Sequence, residues 1–160
     1  MGTNISVIIC THNRSEILKK CLERIYQQTV FTNSYEVIVV DNNSQDNTKD
    51  VVAIYKDKNI KYLFEKRQGL SYARNTGAQH ATNQWITYLD DDGLAHPNFI
   101  AEALNTIANY DFDCFGGVYY PWFKFKRPRW MREDYGTKIH LATKITEIFS
   151  PLLDGGIFAI

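Results

Sequence analysis

Short apolar runs alternate with segments of helical periodicity along the chain, and this alternation restricts the fold more than any other feature. Residues 5–10, I-S-V-I-I-C, form the first run. After the turn Thr11-His12-Asn13-Arg14, a helix is expected from about Ser15, with Ile17, Leu18, Cys21, Leu22, Ile25 and Tyr26 on its apolar face. Residues 35–40 read as the second strand, followed by a helix over 47–56 that turns Val51, Val52, Ile54 and Tyr55 inward. The unit recurs, with strands over 60–64, 85–89 and 112–118, and helices over 69–81 and from His96 to about Asn109, the last with Pro97 in its first turn. Nearly continuous apolar strands separated by helices indicate a mostly parallel sheet covered on both faces, a doubly wound α/β fold. Ligands bind such sheets beyond the carboxyl ends of the strands. Three polar clusters occupy those ends and are expected to meet on one rim: Thr11-His12-Asn13-Arg14, Asp41-Asn42-Asn43 and Asp90-Asp91-Asp92.

The 160 residues, 44% hydrophobic and 14% aromatic, suffice for one core, so a single domain over 1–160 is expected. Lys plus Arg and Asp plus Glu balance at 18 each, which leaves no global field to attract nucleic acid or an anionic membrane. Cys10, Cys21 and Cys114 are odd in number, widely spaced and set among apolar residues, a pattern of buried thiols in a reducing, cytoplasmic setting. The first residues lack the basic region and cleavage site of a signal peptide, and no run approaches the roughly 20 apolar residues of a membrane span. Met1-Gly2 with Ser6 fits a myristoylation pattern formally, but a strand beginning at Ile5 favours an ordinary start.

The stretch I-T-Y-L-D-D-D-G over 86–93 ends an apolar run on three consecutive carboxylates. Side by side they repel unless a positive charge sits among them. A hard divalent cation, Mn²⁺ or Mg²⁺, suits the place, because it takes one or two carboxylates and completes its shell with phosphate oxygens and water. No G-x-G-x-x-G follows the first strand and no G-x-x-x-x-G-K-[ST] occurs, so neither a dinucleotide nor a P-loop grip on phosphate is supported. A cation on the aspartates, bridging a diphosphate, does that work instead. D-D-D-G is also close to the first motif of haloacid-dehalogenase-like phosphatases, which would make Asp90 a nucleophile. In those enzymes the motif opens the domain, and this chain leaves no room for the later Lys and acidic motifs.

V-I-I-C-T-H-N-R, V-V-D-N-N-S-Q-D-N-T, G-L-S-Y-A-R-N-T-G and I-T-Y-L-D-D-D-G, in this order and spacing, resemble the inverting nucleotide-sugar glycosyltransferases of family 2, which have the GT-A fold. G-G-V-Y-Y-P-W-F and R-P-R-W-M are similar to a segment of some members. The resemblance covers nearly the whole chain. It implies metal-dependent transfer of a sugar from a UDP-, GDP- or dTDP-sugar to a glycan or lipid-linked acceptor in polysaccharide or cell-surface glycan synthesis. The setting is the cytoplasm, or the inner membrane face as a peripheral protein. Residues 1–118 would form the nucleotide-binding core and 119–160 the start of an acceptor-side region.

Position by position, the resemblance implies that Cys10, Thr11, His12 and Arg14 cradle base and ribose, with the His12 ring stacking on the base. Asp41 and Asn42 would read the base edge where many members carry two aspartates, and Asn, both donor and acceptor, leaves the preferred base open. Arg67, Arg74 and Asn75 would line the nucleotide pocket, Asp90 or Asp91 would hold the ribose hydroxyls, and Asp92 the metal. Simpler roles stand beside these: Asp41 as the cap of its turn, Arg74 on a solvated helix face, His12 as a polar loop residue. Tyr119, Tyr120, Trp122, Phe123, Phe125 and Trp130 fit sugar platforms or plain packing equally well. The family's carboxylate base lies in a later E-D-like motif that has no counterpart here. Glu133 and Asp134 are weak stand-ins, and a nucleotide-sugar-binding fragment without transferase activity is the alternative. An uncovered sheet edge near residues 157–160, with self-association as a homo-oligomer, is a further expectation.

Overall fold

The computed structural model describes residues 4–111, 113–117, 120–123, 125–132 and 157–159. Strands β1 (Ile5–Thr11), β2 (Tyr35–Asp41), β3 (Ile60–Phe64) and β4 (Trp85–Leu89) are followed by helices α1 (Ser15–Ile25), α2 (Thr48–Ala53), α3 (Leu70–His80) and α4 (Phe99–Asn109) respectively. Two short strands complete the sheet, β5 (Phe115–Gly116) and β6 (Ile157–Ala159), in the order β3-β2-β1-β4-β6-β5. The first four pair in parallel, and β6 runs antiparallel between β4 and β5.

Alternation along the strands separates two cores. Ile5, Val7 and Ile9 of β1, with Tyr35, Val37 and Val39 of β2, pack against Leu18, Cys21, Leu22 and Ile25 of α1, Val51 and Val52 of α2, and Ile100 and Ala103 of α4. On the opposite face Ile8, Ile38, Val40 and Tyr88 meet Ala73 of α3. Each fully buried Val or Ile contributes roughly 1.5–3 kcal/mol, so the two central strands carry much of the stability. α3 lies close to the sheet because Gly77 faces Ile8 and Val40: a Cβ there would sit 2.5 Å from Ile8 Cγ2.

Several sequence expectations need adjustment. α4 begins at Phe99, not His96, because Pro97 precedes the helix and Phe99 N–H closes a turn on the His96 carbonyl at 2.8 Å. α2 is shorter than expected and Ile54, just beyond it, is exposed, while Tyr55 packs half-buried on the core. Ile17 is likewise exposed on α1. The expected strand over 112–118 is reduced to Phe115–Gly116, with positions 112 and 118 outside the described residues. Cys114 is exposed, contrary to the expectation of three buried thiols, whereas Cys21 is buried and Cys10 half-buried. The segment 157–159 does not leave an open edge, since β6 is hydrogen-bonded on both sides.

Candidate functional site

A cleft of about 530 Å³ runs across the carboxyl ends of β3, β2, β1 and β4. β1 contributes Cys10 and Thr11, with His12 and Arg14 following in its loop. Asn42 comes from the end of β2, Gln68, Gly69, Leu70 and Ala73 from the start of α3, and Asp90, Asp91 and Asp92 from the end of β4.

The three aspartates follow Leu89, the last residue of β4, and are inequivalent. Asp91 continues the face of Thr87 and Leu89, the α1 side. It is buried, accepts from Thr11 Oγ1 at 2.7 Å, and pairs with Arg14 Nη1 at 3.1 Å. Asp90 continues the face of Tyr88, the α3 side, where Arg74 Nη2 lies 3.4 Å away. Burial raises its carboxyl above the usual range, Arg74 lowers it, and Asp92 and Asp91 add to the rise. Asp92 lies in the turn closed by Gly93 N–H on the Asp90 carbonyl at 2.8 Å; its carboxylate is 58% exposed and 3.6 Å from Arg14. Gly93 has no room for a side chain, since a Cβ would meet Leu89 Cδ1 at 2.7 Å. Trp122 Nε1–H donates to the Asp92 carbonyl at 3.3 Å, under Lys20, whose Nζ sits 5.8 Å above the indole ring.

The loops after β1 and β2 are knitted together by left-handed asparagines, a conformation Asn tolerates. Asn13 (φ 54°) accepts from Gln45 N–H at 2.6 Å and donates its own N–H to Ser44 Oγ at 2.9 Å, while Asn43 (φ 65°) turns the second loop. Asp46 completes the link by accepting from Ser15 N–H at 2.8 Å at the start of α1. His12 Nδ1–H donates to the Asn42 carbonyl at 2.8 Å, which leaves Nε2 as the acceptor for Asn13 Nδ2 at 3.1 Å.

Asp41 is buried outside the cleft lining: Oδ1 accepts from Ser44 N–H at 2.8 Å and Oδ2 from Tyr62 OH at 2.7 Å, the arrangement of a turn cap. Asn42 turns its amide onto the 65–69 loop, donating to the carbonyls of Glu65 at 3.2 Å and Arg67 at 2.7 Å and accepting from Gly69 N–H at 2.7 Å. Arg67 folds away from the cleft, forked onto Glu65 at 2.9 Å and stacked 4.7 Å from the Tyr72 ring. Asn75 is exposed on α3 and Arg74 approaches Asp90 from outside the lining. The structure therefore brings together Cys10, Thr11, His12, Arg14, Asn42, Asp90, Asp91 and Asp92, and leaves Asp41, Arg67, Arg74 and Asn75 off the cleft surface. Glu133, Asp134 and Tyr119 lie outside the described residues. Gln68, Gly69, Leu70 and Ala73 were not anticipated, although helical spacing from Gly69 sets residues 70, 73 and 77 on one face. Burial pushes the Cys10 thiol up to about 12, so it is a neutral wall residue.

Among the described residues, no three His, Cys, Asp or Glu side chains converge to hold an ion unaided. Asp92, exposed beside the half-exposed Asp90, does fit a cation that a ligand's phosphates would complete. Also among the described residues, no helix is long and apolar enough to cross a membrane.

A parallel core with helices on both faces is the arrangement of the GT-A, Rossmann-like fold, and solved structures match it. The mannosyltransferase PcManGT of Pyrobaculum calidifontis, in complex with GDP-Man and Mn²⁺, superposes with a TM-score of 0.64 at 28% identity, over 69% of this chain and 34% of that one. TarS of S. aureus in complex with UDP gives 0.63 at 25% identity, over 66% and 32%. The chain belongs to glycosyltransferase family 2, whose model, Glycosyl transferase family 2, matches residues 6–157. Glycosyltransferase AglE of Haloferax volcanii is 37% identical over 116 residues, 71% of this chain. The chain spans 38% of that relative's length.

Proposed function

We propose that this chain forms the donor-binding part of an inverting glycosyltransferase that moves a sugar from a UDP-, GDP- or dTDP-sugar to a hydroxyl of a glycan or lipid-linked acceptor, with Mn²⁺ or Mg²⁺. The observation that carries the reading is the cleft itself, in which the ends of four strands converge on an acidic tip whose outermost carboxylate is only loosely engaged. Neighbours solved with GDP-Man and Mn²⁺ and with UDP support it.

Within this reading Asp92 holds the cation. Asp91, engaged by Thr11 and Arg14, keeps the loop in shape. Asp90 is the carboxylate left to accept from the ribose hydroxyls, since Arg74 reaches only one of its oxygens. His12, fixed by its bond to Asn42, presents its ring to the nucleoside, and Arg14 stands beside the diphosphate. When bound, the cation neutralises the charge that develops on the departing diphosphate. The acceptor hydroxyl attacks the anomeric carbon from the opposite side and its proton passes to a carboxylate base, for which Glu133 and Asp134 remain the candidates.

Calorimetric titration of UDP, GDP and dTDP tests this. Chelating Mn²⁺ and Mg²⁺ is expected to weaken nucleotide binding at least about tenfold, roughly 1.4 kcal/mol, and Asp92→Asn to reproduce the loss. Equal affinity with and without metal would sink the assignment.

A further inference from the structure

We propose that Gln68 is the residue that reads the nucleobase edge. The inference rests on the donor-binding reading above and assigns a specificity role inside it. If the diphosphate lies at the acidic tip on β4, the base lies at the other end of the cleft. The ends of β4 and β3 are separated by three inter-strand steps, about 14 Å, so the nucleoside extends past β1 toward β2 and the loop that follows β3. Gln68, Gly69 and Leu70 form that end.

The polar side chains that could meet a base there are nearly all engaged. Asp41 holds Ser44 N–H and Tyr62 OH. The Asn42 amide makes three bonds to the 65–69 loop, and both ring nitrogens of His12 have partners. Gln68 differs: it is exposed, lines the cleft, and has no side-chain partner among the described residues. Its backbone setting is nevertheless rigid. Asn42 grips the main chain at Glu65, Arg67 and Gly69, and the buried Glu65 carboxylate ties Arg67 and Thr76 to the same loop. The hydrogen bonds fix the residues on either side of Gln68 and engage its amide with none of the described residues, the arrangement of a group held ready for a ligand.

The chemistry matches. Uracil, thymine and guanine each present an imide edge, an N–H beside a C=O, and a primary amide offers an acceptor beside a donor, so two parallel hydrogen bonds form. Leu70, apolar and half-exposed, and the His12 ring supply flanking surfaces.

The test is a binding series with UDP, GDP, dTDP, CDP and ADP, with Mn²⁺-pyrophosphate as the baseless reference. Gln68→Leu is expected to weaken UDP, GDP or dTDP roughly five- to 150-fold, the range of a bidentate amide–base pair, and to leave Mn²⁺-pyrophosphate unchanged. Gln68→Glu offers acceptors only, so against uracil or thymine it keeps one bond to the imide N–H and opposes the C=O, whereas guanine presents two adjacent donors, N1–H and the 2-amino group, to both carboxylate oxygens. Its ranking should therefore move toward GDP and away from UDP and dTDP. Asp41→Asn should lower the melting temperature and keep the wild-type ranking. A ranking unchanged in both Gln68 variants overturns the assignment while the donor-binding reading stands. If the unaltered chain binds no nucleotide, that reading falls and takes the assignment with it.

Discussion

Gly77→Ala sets two physical effects of opposite sign against each other. In the middle of α3, replacing Gly by Ala gains about 1 kcal/mol of helix propensity. The added Cβ, however, would sit 2.5 Å from Ile8 Cγ2 and 3.2 Å from Val40 Cγ2, against an ordinary carbon–carbon separation of about 3.5–4.0 Å. Ile8 is fully buried on the central strand between β2 and β4, so it cannot swing aside, and α3 must retreat by about 1 Å. Overpacking of this kind costs about 1–3 kcal/mol, and a contact this short belongs at the upper end. The net expectation is a loss of about 2 kcal/mol, or about 4–8 °C in Tm for a chain of this size. Urea unfolding should show a lower midpoint with an unchanged slope. The retreat also moves Leu70 and Ala73 out of the cleft wall, so nucleotide affinity should fall with stability. A neutral or stabilised Gly77→Ala would mean that propensity outweighs the close approach, and the account of how α3 is seated would be wrong.

Two other perturbations probe the charges. Arg14→Gln removes a cation from Asp91 and Asp92, so Mn²⁺ titrated without nucleotide should bind about five- to thirtyfold more tightly, from about 1–2 kcal/mol of relieved repulsion, while Tm falls; weaker Mn²⁺ binding would show that Arg14 shapes the site instead of competing for it. Burial alone would raise Glu36, but Lys61 at 2.7 Å, the Ser6 hydroxyl at 2.6 Å and the Thr82 N–H and hydroxyl at 2.7 Å hold it at about 2. A depressed carboxyl stabilises the fold above its ordinary value of 4.5 and loses that contribution as pH falls from there toward 2, so Tm should drop over this window and Glu36→Gln should flatten the drop.

The strand–helix alternation was readable because β1 and β2 are buried on both faces and so consist of almost uninterrupted apolar residues. The gathering of the three polar clusters followed from the parallel arrangement, since every parallel strand ends on the same side. What escaped was the partnering of individual polar groups. Asp41 and Asn42 are adjacent at one strand end and look interchangeable as base readers, yet Tyr62 and Ser44 claim one and the 65–69 loop claims the other, and both partners are set by tertiary contacts. Arg67 illustrates the same limit: Glu65 two residues away is a local partner that draws it off the cleft, a competition that a motif does not display. Ile17 and Ile54 were assigned inward by spacing, which gives the face of a helix and not how far the neighbouring elements extend over it.

The run of three aspartates shows how much one strand end can encode. Past Leu89, the last residue of β4, consecutive carboxylates go to opposite sides of the sheet: Asp90 toward Arg74 on α3, Asp91 toward Thr11 and Arg14 on the α1 side. Asp91 and Asp92 are the central residues of the turn that Gly93 N–H closes on the Asp90 carbonyl, and Trp122 donates to the Asp92 backbone carbonyl. Among the described residues two guanidinium groups face these three carboxylates, and the one most loosely paired, Asp92 at 3.6 Å from Arg14, is the one most open to solvent. A divalent cation there meets one carboxylate that it does not have to strip from a buried partner, while Asp91 stays anchored and keeps the loop from collapsing. Moving the triplet one residue toward the N-terminus would bury its first carboxylate at the position of Leu89, set its second against Arg74 and its third against Thr11 and Arg14, and leave none at the exposed position of Asp92, so the register of D-D-D-G against the last buried leucine matters as much as its composition.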